Sequence, residues 1–212
     1  MDNSLNPLII VVDDDASLRQ ALVFLLESVG WRVVAYDSAK NFLAELDEHS
    51  QQPGCLILDV RMPLMSGMEL QRIINERNIH IPIIFLTGHA DITIAVQAMK
   101  FGACDFIEKP FKDQILLDAV SQAVNRDLLW HKENAAKLTL SERLKKLSSR
   151  EMEVAKLVAE GLPYRTIGMR LDISERTVQV HCQNLRAKLG INSAAELTQM
   201  LLLATKNSAH DS

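Results

Sequence analysis

Long apolar stretches are missing from this 212-residue chain. Its apolar runs, such as residues 8–12 and 200–204, fall far short of the roughly 20 residues that a membrane-spanning helix needs. A membrane-embedded role is therefore not expected. The first residues, Met1, Asp2 and Asn3, lack the basic and then apolar pattern of a secretory signal. Cysteine is scarce: Cys55, Cys104 and Cys182 are scattered and odd in number, which argues against both a disulfide framework and a zinc site. These absences point to a cytoplasmic protein with reduced thiols. Low-complexity sequence is absent too, and hydrophobic residues at 48% supply ordinary packed cores. The length suits one large domain or two modest ones.

Charge separates the chain into halves. Residues 1–126 carry 10 Lys and Arg against 17 Asp and Glu, a net of −7, whereas residues 141–206 carry 11 against 7, a net of +4. Only the second half is suited to a polyanion such as nucleic acid.

The first half alternates two periodicities. Short β-branched runs at 8–12, 32–36, 56–58, 83–86 and around 106–107 are separated by helical patterns such as Leu18, Leu22, Leu25, Leu26 and Val29. Five strands alternating with five helices predict a doubly wound parallel sheet covered on both faces. Polar sites in such sheets form beyond the carboxyl ends of the strands. Asp13, Asp59 and Thr87 each stand where an apolar strand stops. Residues 127–140 contain no Gly or Pro and read as a helical linker. Beyond it lie helix signals: Thr139 with Glu142, Ser148 with Glu151, and Ser193 with Glu196 match capping boxes. Gly161 and Gly190 mark helix ends, Pro163 suits a first turn, and Ser174 suits the N-cap of a helix running to Leu189. The expectation is an all-α domain of four short helices at 141–206, followed by a tail at 207–212.

Asp13, Asp14 and Asp59, gathered at one sheet edge, would repel one another unless a cation neutralised them. Hard oxygen ligands suit Mg²⁺. A phosphoryl group arriving there needs an in-line carboxylate nucleophile and positive charge around its oxygens. Lys109 supplies an ammonium and Thr87 a hydroxyl, and Pro110 allows a cis bond that would aim Lys109. Taken singly, Asp13 or Asp59 reads better as a loop cap; taken with Asp14, Thr87 and Lys109, the set does not. An aspartyl-phosphate phosphatase would also use an Asp after a strand. It needs a second acid two residues on, where this chain has Arg61.

Val12-Asp13-Asp14, the stretch from Asp59 through Arg61, Met62 and Pro63 to Gly67, Thr87-Gly88-His89 and Lys109-Pro110-Phe111 resemble the receiver domain of two-component response regulators of the FixJ type, over about residues 7–126. The resemblance implies a flavodoxin-like receiver at 1–126 with Asp59 as phosphoacceptor. It implies Mg²⁺ held by Asp13, Asp14, Asp59 and the Arg61 carbonyl, phosphoryl contacts from Thr87 and Lys109, and a switch pair of Thr87 and Phe106. Leu64, Ala90 and Thr93 depart from the commonest pattern, which bears on switching kinetics. His89 either governs how water reaches the acyl phosphate or is an exposed loop residue. His49, His80, His131 and His210 read as solvated.

Residues 145–205 resemble the NarL/LuxR-type helix-turn-helix in their SREMEV, TIGMRL, S-E-R-T-V and K-L-G elements. That resemblance implies that Gln179, Val180 and Gln183 face bases of double-stranded promoter DNA, with Arg176 and Lys188 on phosphates. Gly168, where Ala is common, is expected to cost about 1 kcal/mol of helix stability. Cys182 stands where a polar residue is usual. The combined reading is a transcription regulator, not an enzyme beyond self-catalysed phosphoryl transfer and dephosphorylation. A sensor histidine kinase would phosphorylate it, phosphorylation would make it a homodimer, and it would meet DNA and RNA polymerase. A relay protein that passes phosphate on without DNA is the other class, opposed by the basic second half.

Overall fold

The computed structural model describes residues 7–49, 52–88 and 92–208. The chain divides into two compact units, residues 1–131 and 132–212.

The first unit alternates strands and helices in chain order: β1 (Leu8–Val12), α1 (Ala16–Ser28), β2 (Arg32–Tyr36), α2 (Ala39–His49), β3 (Gly54–Asp59), α3 (Gly67–Glu76), β4 (Ile83–Thr87), α4 (Ile92–Lys100) and β5 (Asp105–Glu108), then α5 (Asp113–Lys145). The five strands pair in parallel in the order β2-β1-β3-β4-β5. This is the doubly wound fold expected. Strand alternation sends Leu8, Ile10, Val12, Leu56, Leu58, Ile83 and Phe85 to one face and Ile9, Val11, Cys55, Ile57, Ile84 and Leu86 to the other. Both faces are covered, so β1, β3 and β4 are buried along their whole length. That double burial is why they read as continuous apolar runs and not as alternating ones.

Gly67 opens α3 where a side chain would not fit. A Cβ there would lie 2.2 Å from the Asp59 carbonyl oxygen, and the Gly67 N–H donates to the Val60 carbonyl at 3.0 Å. The missing side chain draws the start of α3 against the end of β3.

The first unit continues to His131, past the linker boundary read at 127. The reason is Asp127 on α5. Its buried carboxylate accepts from the Gly54 N–H at 2.8 Å, at the start of β3, and His80 and His131 lie 3.2 and 3.5 Å from its two oxygens. His80 stacks on Trp130 with ring centroids 3.9 Å apart. His80 and His131 are thus packed groups and not solvated ones, and His49 accepts or donates at 2.6 Å with the Tyr36 hydroxyl. His210 lies outside the described residues.

The second unit packs the end of α5 with α6 (Ser149–Ala159), α7 (Tyr164–Leu171), α8 (Glu175–Leu189) and α9 (Ala194–Ser208). Leu144, Val154, Val158, Ile167, Val178, Cys182, Leu185, Leu189 and Leu197 form its core. Ser148 and Glu151 close a capping box on α6, and Ser174 caps α8 by accepting from the Thr177 N–H at 3.0 Å. Two local expectations fail. Thr139 caps nothing: α5 runs through it, and its hydroxyl donates to the Ala135 carbonyl at 2.9 Å. Pro163 is the N-cap of α7, one residue before the first turn.

Candidate functional site: a carboxylate–lysine pocket and an exposed recognition helix

The order β2-β1-β3 places the reversal of strand order between β1 and β3, where such sheets open a crevice at their carboxyl ends. Asp13 follows β1, Asp59 ends β3, Thr87 ends β4 and Lys109 follows β5. The Lys109 ammonium donates to Asp59 Oδ1 at 2.6 Å and to Asp13 Oδ2 at 2.8 Å. Its backbone N–H donates to the Thr87 carbonyl at 2.7 Å, and the Lys109–Pro110 peptide is cis. Each carboxylate has its second oxygen held by backbone. Arg61 N–H donates to Asp59 Oδ2 at 2.7 Å, and Asp15 N–H to Asp13 Oδ1 at 2.8 Å.

Asp13, Asp59 and Thr87 are buried, whereas Asp14 and Arg61 are exposed at the rim. Burial raises the Asp59 pKa above the ordinary carboxylate value, the Lys109 contact works against that rise, and the Asp13 charge adds to it. Burial likewise disfavours the Lys109 charge, but its bonds to Asp13 and Asp59 outweigh this and hold the ammonium pKa up. One cation thus serves two buried anions, and the pocket keeps a surplus of negative charge. Among the described residues, no three His, Cys, Asp or Glu side chains are assembled as a metal site. Arg19, not singled out from the sequence, donates to the Asp13 carbonyl at 2.6 Å.

Phe106 on β5 is half-buried and lies with its ring centroid 6.2 Å from that of Phe85. Leu64 is fully exposed at positive φ, and Thr93 stands in the first turn of α4. His89 and Ala90 lie outside the described residues.

In the second unit α7, a three-residue turn and α8 form a helix-turn-helix. Gly168 permits the turn: a Cβ there would lie 2.7 Å from the Ile173 carbonyl oxygen, and Ile173 N–H donates to the Gly168 carbonyl at 3.0 Å. The helix cost expected for this glycine is the cost of that close approach. Val178, Cys182, Leu185 and Leu189 bury one face of α8, and Arg176, Gln179, Val180 and Gln183 are exposed on the opposite face. Lys188 is different. It is exposed too, but lies about 130° around the helix from the centre of that face. Its ammonium donates to the buried Glu151 carboxylate on α6 at 2.7 Å. The sequence reading placed Lys188 on a phosphate and did not foresee this partner.

A receiver-type pocket on a doubly wound sheet, followed by a helix-turn-helix, defines a response regulator that acts on DNA. Comparison with known proteins agrees. Residues 9–121 match the response regulator receiver domain, and residues 145–201 match the luxR family of bacterial regulatory proteins. The chain is 41% identical over 204 residues to the transcriptional regulatory protein FixJ of Azorhizobium caulinodans, covering 95% of this chain and 94% of that one. It is 42% identical over 200 residues to nodulation protein W of Bradyrhizobium diazoefficiens, covering 93% and 86%. Among solved structures, the response regulator StyR superposes with a TM-score of 0.85 at 41% identity, covering 92% of this chain and 98% of that one. Full-length FixJ from B. japonicum superposes with a TM-score of 0.58 at 38% identity, covering 95% and 98%. The chain belongs to the FixJ-type two-component response regulators. It is a phosphorylation-activated, DNA-binding transcription regulator whose receiver implies a histidine kinase partner. Among the described residues, no helix is long and apolar enough to cross a membrane.

Proposed function

We propose that Asp59 accepts the phosphoryl group and that its occupancy controls DNA binding by α8. The carrying observation is the pair of buried carboxylates sharing the Lys109 ammonium at 2.6 and 2.8 Å. An Asp59 oxygen attacks phosphorus in line, the bond from phosphorus to the kinase imidazole nitrogen breaks, and an acyl phosphate remains. Lys109 turns from the carboxylates toward a phosphoryl oxygen, and the Thr87 hydroxyl donates to another. The same pocket orients the water that later hydrolyses the acyl phosphate, so the chain catalyses its own phosphorylation and dephosphorylation.

Two buried anions on one ammonium cannot receive a dianion without further positive charge. The donor set of Asp13, Asp14 and Asp59 carboxylates with the Arg61 carbonyl is hard oxygen, which suits Mg²⁺. Mg²⁺ held by these residues would supply charge neutralisation at the transferring oxygens.

Thr87 drawn toward the phosphoryl group vacates space into which Phe106 turns. The surface of α4 and β5 then changes, and two copies of the chain pair. Converting a 1:99 equilibrium into 99:1 needs about 5.5 kcal/mol, within reach of several charge-assisted contacts acting together. Paired chains place two copies of α8 on successive half-sites of promoter DNA, where the regulator meets RNA polymerase in the cytoplasm. Gln179, Val180 and Gln183 face base edges, and Arg176 grips phosphate.

Intact mass after incubation with a small phosphodonor and Mg²⁺ tests the acceptor. Wild type gains one phosphoryl group and Asp59→Asn gains none. Equal labelling of the two rejects Asp59.

A further inference from the structure

We propose that Lys188 is a positioning residue that locks the recognition helix to α6 through the buried Glu151 carboxylate, and that it does not bind DNA phosphate. The inference rests on the reading of α8 as the DNA-reading helix. It revises the role that family resemblance suggests for Lys188.

Three observations carry it. First, Glu151 is 4% exposed, and its carboxylate is engaged from two sides. Ser148 N–H donates to Oε2 at 2.7 Å, and so does the Lys188 ammonium, also at 2.7 Å. A buried carboxylate stripped of its cation is costly, so Lys188 cannot leave for a phosphate without exposing α6 to that cost. Second, Lys188 projects from the flank of α8. Arg176, Gln179, Val180 and Gln183 lie on one exposed stripe and Lys188 does not share it. Third, the contact joins positions 37 residues apart on two helices, and its α6 end is also the N-terminal capping box. Moving Glu151 therefore disturbs the start of α6 and the azimuth of α8 together. The two residues act as a latch that sets how far α8 turns its glutamines outward.

Lys188 contributes nothing to counterion release in this account. A phosphate-binding lysine contributes about 0.9 to the slope of log Kd against log salt concentration on duplex DNA. The two roles separate on that slope. They separate further in the double variant Glu151→Gln with Lys188→Met. There the glutamine carbonyl still accepts from Ser148, and no unpaired buried charge remains.

The experiment measures binding of the full-length chain to a short mixed-sequence duplex across a salt series, with thermal unfolding of each variant alongside. Four chains are compared: wild type, Lys188→Met, Glu151→Gln and the double variant. Lys188→Met is expected to weaken binding with the slope unchanged, and to lower the unfolding temperature. The double variant is expected to recover most of both losses, still with the wild-type slope. A slope flatter by about 0.9 in Lys188→Met, and equally in the double variant with no recovery, overturns the proposal. So does a Glu151→Gln chain that binds more tightly with a steeper slope, because freed Lys188 would then be reaching a phosphate. If wild type fails to bind any duplex, it is the DNA reading of α8 that fails. The unfolding arm still decides the latch: non-additive losses in the two single variants support it, and additive losses reject it.

Discussion

Each unit holds a lysine against a buried carboxylate at 2.6–2.8 Å, yet the two arrangements are opposite in kind. In the second unit Lys188 meets one acid. Lys188, the capping Ser148 N–H and the Ser148 hydroxyl together lower the Glu151 pKa below its ordinary value, against the pull of burial. In the first unit Lys109 meets two acids, and burial together with the second carboxylate raises the Asp59 pKa despite the lysine. A matched pair fixes geometry. A mismatched cluster leaves a demand for positive charge unmet, which in the proposed function a phosphoryl group arriving with a cation would satisfy. On the two proposals above, the same side chains build a latch in one place and a reactive centre in the other, and the ratio of charges decides which.

Removing divalent cations gives the largest expected effect. Excess chelator should abolish labelling of wild type by a small phosphodonor, because the mismatched pocket then faces a dianion with Lys109 alone. Unchanged labelling in chelator would take the metal out of the mechanism. Slightly less drastic is Thr87→Ala, which should accept phosphate yet stay monomeric by sedimentation under conditions where phosphorylated wild type dimerises. Dimerisation of that variant at the wild-type level would separate Thr87 from the switch.

The comparison sharpens in the stability of metal-free protein. Lys188→Met leaves a buried acceptor without its cation and should destabilise the second unit by about 1–3 kcal/mol. Asp59→Asn should instead raise the unfolding temperature of the first unit, since the ionised carboxylate it removes is disfavoured there. Acid should act on the latch with a definite sign. The folded-state pKa of Glu151 is depressed, so its contribution is present above the unfolded value of about 4.3 and is lost as pH falls through the folded value. Thermal unfolding of wild type should lose stability in that acid window, and Glu151→Gln should show a smaller loss there. Identical acid profiles for both would deny the pair its stabilising role. The smallest expected effect is at the DNA itself. Gln179→Ala should change discrimination at one base position by about 1–3 kcal/mol. Equal weakening on selected and random duplexes would show that Gln179 does not read sequence.

How much of this was legible in the sequence follows from how local each signal is. The strand at residues 8–12 was read to the residue because a buried parallel strand is an unbroken apolar run closed by a polar residue, and the half-exposed edge strand at 32–36 was read from its β-branched residues. The same rule placed Asp13, Asp59 and Thr87 at strand ends, which is where the pocket forms. Signals that depend on tertiary partners were not legible. Thr139 and Glu142 match a capping box, yet residues 132–145 hold no Gly or Pro, and the helix runs on through them. Asp127 looked like part of a polar linker because its partner, the Gly54 N–H, is 73 residues away. The resemblance that put Lys188 on a phosphate could not show its contact with Glu151, because Glu151 reads locally as a capping residue and its second partner is 37 residues away. Gly168 looked like a destabilising choice until the Ile173 carbonyl was seen to approach where a Cβ would stand.

The central claim joins the two units: charge placed on Asp59 governs what α8 does on DNA. Its most direct test is the affinity of the full-length chain for a promoter fragment recovered by DNA selection, measured with and without a small phosphodonor and Mg²⁺. Wild type should bind more tightly after phosphorylation, and Asp59→Asn should bind alike in both conditions. Wild type unmoved by phosphorylation, or Asp59→Asn tightening as much as wild type, would contradict the account.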